Sequence, residues 1–118
     1  MKDFSIDVQK ATVGGTEVVV VKTHGSINST TTPALDTEFE ELIAKGTRVI
    51  VVDLSTTDFI SSSGIGVLLS TVNVLRDKQG DLVLMNAPKL IDDILEIMNI
   101  RNYFRTVKNL DELNSVKS

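Results

Sequence analysis

A chain of 118 residues has the size of one domain and can bury a little under ~70% of its unfolded surface. With 42% hydrophobic residues but only four Phe, one Tyr and no Trp, its core must be built from Val, Ile and Leu. A net charge of −4 argues against nucleic acid as a partner and gives no attraction to anionic membranes, while the lack of cysteine excludes thiol catalysis, disulfides and cysteine-based metal sites.

In chain order, Phe4, Ile6 and Val8 alternate with Ser5 and Asp7, the period of a half-buried strand. The opening "MKDFSIDVQK" has no apolar core of a signal peptide. The runs "VVVV" and "VIVV" are too short to span a bilayer, so a soluble cytoplasmic protein is expected. Gly14-Gly15 marks a turn, and "TEVVVVKTHG" reads as a second strand ending at Gly25; together they predict an antiparallel hairpin. The polar loop "GSINSTTT" follows. Pro33 then fits the first helical position with Thr32 as N-cap. Leu35, Phe39, Leu42 and Ile43 mark one face of that helix, and Gly46 is placed to stop it.

"RVIVVDLS" is almost continuously apolar and predicts a central strand covered on both faces. A helix from about Ser62 carries Ile65, Leu68, Leu69, Val72 and Leu75 on one face. Arg76 and Lys78 lie in its last turn and Gly80 at its end. "DLVLMN" is another strand. Pro88 opens a third helix with Leu90, Ile91, Ile94 and Met98 inward, and a short strand covers Phe104 to Val107. Asn109 and Glu112 have capping-box spacing for a last helix. The order β-β-α-β-α-β-α-β-α predicts one α/β domain over residues 1–118. Its sheet is mixed and mostly parallel, with an N-terminal hairpin and about four α-helices packed on it.

The stretch "DFISSSGIGVLLS", Asp58 to Ser70, carries the functional question. A serine at a strand-to-helix junction can be a cap, a phosphate ligand, a nucleophile or a phosphorylation site. A hydrolase elbow is excluded, because no glycine lies two residues before any of the serines and His24 is the single histidine. No P-loop occurs, and no convergent set of metal ligands is visible, so neither cofactor nor metal is expected. Asp53, after "VIVV", sits where receiver domains place a phosphorylated aspartate, but the acidic pair that would hold magnesium is missing. Its plainer role is to accept local backbone hydrogen bonds.

Ser61 or Ser62 can cap the helix. Capping needs one side-chain oxygen, however, and glycines in a first turn cost ~1 kcal/mol each relative to alanine. Gly64 and Gly66 therefore point to a close approach to the backbone or to a tightly packed neighbour. No base–nucleophile pair is visible, so an enzyme is not expected.

"VIVVDLSTTDFISSSGIGVLLS" resembles the signature of STAS domains, specifically the bacterial anti-sigma-factor antagonists. Their pattern is a strand ending in Asp-Leu-Ser, a spacer with an aromatic residue, then Asp-Ser-Ser/Thr-Gly-Leu-Gly and a helix. The resemblance extends over essentially the whole chain, including the loop at Gly25 to Asn28. It implies a partner switch regulating sigma-factor-dependent transcription. The unphosphorylated protein binds an anti-sigma factor that is also a serine kinase; phosphorylation ends that binding, and a serine phosphatase restores it. Carried over, the phosphorylated residue is Ser62, followed by Ser63, Gly64, Ile65 and Gly66.

Two positions depart from the family. Its Asp before the phospho-serine is Ser61 here, and the Asp of its first loop is Asn28. The interface implied takes in Asn28, Ser29 and Thr30 from the polar loop, with Phe59, Ile60, Ser61, Ser63 and Gly64 around the switch. Phe59 and Ile60 have a competing reading as core, and Ile65 reads as core. Two alternatives stand beside this one. The first is a STAS subunit of a larger sensor or transport assembly without a phosphorylation cycle. The second is a small phosphate- or nucleotide-binding domain in which "GSINSTTT" and "SSSGIG" converge as donors.

Overall fold

A computed structural model describes residues 4–115. Strands β1 (Ser5–Val13) and β2 (Thr16–Ile27) pair antiparallel from Val13 opposite Thr16 to Ser5 opposite His24. Gly14 and Gly15 both take positive φ, 56° and 83°; a two-residue hairpin turn matched to strand twist requires that conformation. β2 continues past the expected stop at Gly25. That glycine has φ 93° and lies at a register shift inside the β2–β3 ladder, not at its end.

Helix α1 (Thr32–Ala44) follows, and its N-cap is Thr31, not Thr32. The carbonyl of Asn28 accepts from both Thr31 N and Thr32 N, at 3.0 and 2.8 Å, which winds the chain one residue early. Leu35, Phe39 and Leu42 are buried, Ile43 is half-buried, and Gly46 takes φ 99° just past the cap.

β3 (Val49–Ile60) runs straight through "STTDFI", so the stretch that resembled a spacer is strand. It pairs parallel with β2 on one side and β4 (Asp81–Met85) on the other. β5 (Arg105–Val107) adds parallel to β4, giving the order β1-β2-β3-β4-β5. Because successive parallel strands are neighbours, right-handed crossovers place α1, α2 (Ser62–Asp77) and α3 (Lys89–Ile97) on one face of the sheet. The main core lies there: Val19, Val21, Ile50, Val52, Leu82 and Leu84 meet Phe39, Leu68, Val72, Leu75, Ile91 and Leu95. On the opposite face a smaller cluster, Val18, Val51, Val83, Met85 and Val107, lies with Leu113 of α4 (Asp111–Ser115). The expected mixed, mostly parallel sheet with a hairpin and four α-helices is the architecture observed.

Several local expectations are corrected. Leu90 and Met98 of the third helix face outward, 53% and 43% exposed, while Ile91 and Leu95 are buried. The apolar residues of α3 span more of its circumference than one sheet contact can cover. β4 ends at Met85 because Asn86 adopts φ 58°. Lys78 is the C-cap of α2 and lies outside its last turn. The left-handed residue after α2 is Gln79 (φ 67°). Gly80 has a different reason: a Cβ there would lie 1.8 Å from the carbonyl oxygen of Arg48. The capping box of the last helix forms in its first half, and its return bond reaches one residue further back. Asn109 Oδ1 accepts from Glu112 N at 3.2 Å, and Glu112 Oε1 accepts from Lys108 N at 2.8 Å. Among the described residues, no helix is long and apolar enough to cross a membrane.

Candidate functional site

The carboxyl ends of β2 and β3 meet at one end of the sheet, where Ile27 pairs with Ile60. From there the chain leaves into the polar loop on one side and into α2 on the other. Ser61 N donates to Ile27 O at 2.8 Å, so the loop and the serine triplet share a backbone hydrogen bond. The two polar stretches singled out in the sequence therefore converge.

The loop is built around Asn28. Its Oδ1 accepts from Thr30 N at 2.9 Å and Thr31 N at 3.2 Å, an Asx-turn. Thr31 locks the other side: its Oγ1 accepts from Asn28 N at 2.8 Å and donates to Ser26 O at 2.8 Å. Ser29 and Thr30 are left exposed at the tip. Thr31 was not expected to matter, and its only signal was a hydroxyl residue three places after an Asx.

At the junction, Ser61 has extended backbone (φ −88°, ψ 172°) and caps α2. Its Oγ accepts from Gly64 N at 3.3 Å and lies 2.8 Å from Ser63 Oγ. Of the three serine hydroxyls, two are thus engaged with each other and with the cap. Ser62, at the first helical position, is exposed. The first-turn N–H groups have no carbonyl partner within the helix, which makes this a favourable place for negative charge. Phe59 is 43% exposed beside the junction, whereas Ile60 is 1% exposed and supports the surface from beneath. Gly64 is buried as well. A Cβ on it would lie 2.6 Å from Ile27 Cγ2 and 2.9 Å from Ile60 Cγ1, while one on Gly66 would meet nothing within 4 Å. Of the two glycines, only Gly64 is required by a close neighbour. Ile65 is core, 2% exposed.

The other candidates lie apart from the serines. His24 Nε2 is 2.8 Å from Asp7 Oδ2 and its Nδ1 is 2.9 Å from Thr56 Oγ1. Both ring nitrogens are therefore held by β1 and β3, and neither by a serine. Beneath it, the buried hydroxyls of Thr23 and Thr57 pair with each other, and Thr57 also donates to Thr23 O at 3.1 Å. Asp53 Oδ1 accepts from Ser55 N at 3.0 Å, the local role expected, although it sits within β3 and not at a strand end. Clefts form at the start of α3, between β1 and α1, and between α1 and α2; Ser61, Ser62 and Ser63 line none of them.

A STAS domain model matches residues 8–113. The chain belongs to the STAS domain family. It is 35% identical over 80 residues to a Bordetella bronchiseptica protein, BtrV, assigned by name to the anti-sigma factor antagonists, covering 68% of this chain and 69% of that one. The crystal structure of an anti-sigma factor antagonist from Mycobacterium paratuberculosis superposes with a TM-score of 0.78 at 25% identity, covering 97% and 96% of the two chains. SpoIIAA shares the fold in its unphosphorylated form (TM-score 0.77, 14% identity, 97% and 100% covered) and, from Bacillus, in its phosphorylated form (0.71, 16%, 96% and 100%). In this STAS domain both Asn28 and Ser61 are neutral side chains with local hydrogen-bonding roles. Asn28 accepts two loop N–H groups, and Ser61 caps α2.

Proposed function

We propose that this chain, over its full 118 residues, is a cytoplasmic anti-sigma factor antagonist whose docking surface centres on Ser62. On this reading an anti-sigma factor with serine-kinase activity binds the Asn28–Thr30 loop, Phe59 and the serine triplet. Phosphorylation of Ser62 ends that binding, and a serine phosphatase restores it. The observation that carries the proposal is the exposed Ser62 at the first position of α2. It is placed beside a rigid Asx-turn in a STAS fold whose relatives are named as antagonists. The reading involves no chemistry by the chain itself.

A phosphate on Ser62 adds about −1.5 to −2 charges at a helix N-terminus, where N–H groups and the dipole favour it. The fold therefore tolerates the modification. Docking does not, because the dianion has to be desolvated at the interface. Ser62→Glu is expected to leave the circular dichroism spectrum and Tm nearly unchanged while weakening partner binding about tenfold or more, 1.4 kcal/mol.

The first experiment is incubation with Mg-ATP and each serine-kinase anti-sigma candidate from the same genome, read by intact mass beside Ser62→Ala. One added phosphate that disappears in Ser62→Ala, with loss of binding, supports the switch. The neutral Ser61 and Asn28 favour one second reading, a STAS subunit that holds its partner without a phosphorylation cycle. Tight binding with no added mass would select it. Binding to none of the candidates would remove the antagonist assignment.

A further inference from the structure

The cleft between α1 and α2 combines an apolar floor with acid at its edge. Its volume is about 260 Å³, below the roughly 300–1,000 Å³ of cavities that enclose a whole small molecule. Phe39, Ile43 and Val74 supply the apolar lining, and Asp36, Glu40 and Ser70 the polar part. Phe39 is fully buried, Ile43 is half-buried and Val74 is 39% exposed, so the lining is open to a ligand at Ile43 and Val74.

Asp36 and Glu40 are one helical turn apart, where like charges repel. Helix α1 contains no basic residue to offset them. Neither carboxylate belongs to an ion pair among the described residues. On α3 the same spacing is matched, with Lys89 meeting Asp93 at 3.0 Å. Two unpaired carboxylates call for a cation, and the lining beside them calls for hydrocarbon. A metal ion would use the carboxylates and leave the apolar lining wet. A long basic side chain satisfies both, because it buries its stem and keeps its charge at the rim. Arginine fits better than lysine, since its planar fork presents donors to two carboxylates at once.

We propose that the α1–α2 cleft is a pocket for one arginine side chain of a protein partner. The aliphatic stem lies against Ile43 and Val74, and the guanidinium between Asp36 and Glu40. The pocket lies along the helix that starts at Ser62, with Ser70 roughly 12 Å further on by helix rise. A partner seated on the serine triplet and extending along α2 reaches it. That this partner is the anti-sigma factor rests on the role proposed for Ser62; the arginine pocket itself does not.

Titration of the isotope-labelled protein with N-acetyl-arginine methylamide, followed by NMR, tests the pocket without any partner. Saturable shifts are expected in the amides of residues 36–44 and 70–74. The norleucine analogue, which has a stem and no charge, should bind about tenfold more weakly. Asp36→Asn combined with Glu40→Gln should also lower arginine affinity about tenfold, with Tm preserved or raised because a like-charge pair is gone. Shifts spread evenly over remote exposed carboxylates such as Glu17 and Asp111 would overturn the proposal. So would the absence of saturation, an unchanged affinity in the double variant, or equal binding of the norleucine probe. A lysine analogue bound as tightly would overturn the choice of arginine. An anti-sigma factor that binds the unmodified chain should bind the double variant at least tenfold more weakly, and equal binding would remove the pocket from that interface. If no anti-sigma factor binds at all, the antagonist reading falls and the titration result stands.

Discussion

At the scale of single residues, the motif's small side chains have separable reasons. Gly64 sits under Ile27 and Ile60, and both contacts of an added Cβ fall below 3.0 Å. Gly64→Ala should therefore cost about 1–3 kcal/mol through overpacking, in spite of the better helix propensity of alanine. Gly66 has open space in the same helix. Gly66→Ala should stabilise by about 0.5–1 kcal/mol, and urea denaturation of the pair checks the opposite signs. Ser61 is the cap, so Ser61→Ala should lower stability by about 1 kcal/mol, whereas Ser61→Asp should keep it. The sequence displayed all three small residues but not which neighbour each one faced. Ile27 lies far from Gly64 along the chain, and only the folded sheet end brings the two together.

At the scale of elements, type and order were legible because Val, Ile and Leu repeat at clear periods. Boundaries were less so, for physical reasons. Thr32 and Thr31 are equally good caps by composition, and the carbonyl of Asn28 decided between them. "STTDFI" has the polar content of a loop, yet β2 supplies ladder partners as far as Ile60, and those hydrogen bonds override composition. Leu90 and Met98 fitted the apolar pattern of α3, but pattern alone does not state how wide a face the domain can cover. Gly80 was read as a helix stop, and its real constraint is the connection between α2 and β4. There Asp81 N donates to Arg48 O at 3.0 Å, and an added Cβ would overlap that carbonyl. Backbone cannot step aside as a side chain does, so Gly80→Ala should cost about 3 kcal/mol. A lowered midpoint in thermal unfolding, with α2 itself unchanged in length, is the expected result.

At the scale of the whole molecule, the sheet is unevenly covered. Three helices lie over one face, and the short α4 contributes Leu113 to the other. Deleting side chains should show the difference. Leu68, fully buried in the helical layer, should cost about 3–5 kcal/mol as Leu68→Ala. Leu113, at 9% exposure in the smaller cluster, should cost roughly 1–2 kcal/mol as Leu113→Ala. Equal losses in guanidinium titrations would mean that the two faces contribute alike. The same unevenness shows how the site could be read from the sequence at all. Parallel crossovers between adjacent strands bring the carboxyl ends of β2 and β3 side by side, so two polar stretches flanking consecutive strands had to meet once the strand order was right. The side chains that fix the loop, Thr31 above all, depend on distances no pattern states.

The ladder between β2 and β3 starts with Val19 opposite Ile50 and closes with Ile27 opposite Ile60, after two register shifts. β3 therefore travels a longer path than its neighbour over the same stretch of sheet. Chain length here is itself a structural quantity. Loss of one residue between Leu54 and Phe59 would carry Ile60 into the exposed place that Phe59 holds, since a slip of one displaces every side chain beyond it. The segment looks tolerant, being polar and near the surface, and single substitutions at Ser55 or Thr56 should be mild. Insertions and deletions should be as damaging there as in the middle of a buried helix, because what the segment carries forward to Ser62 is a count.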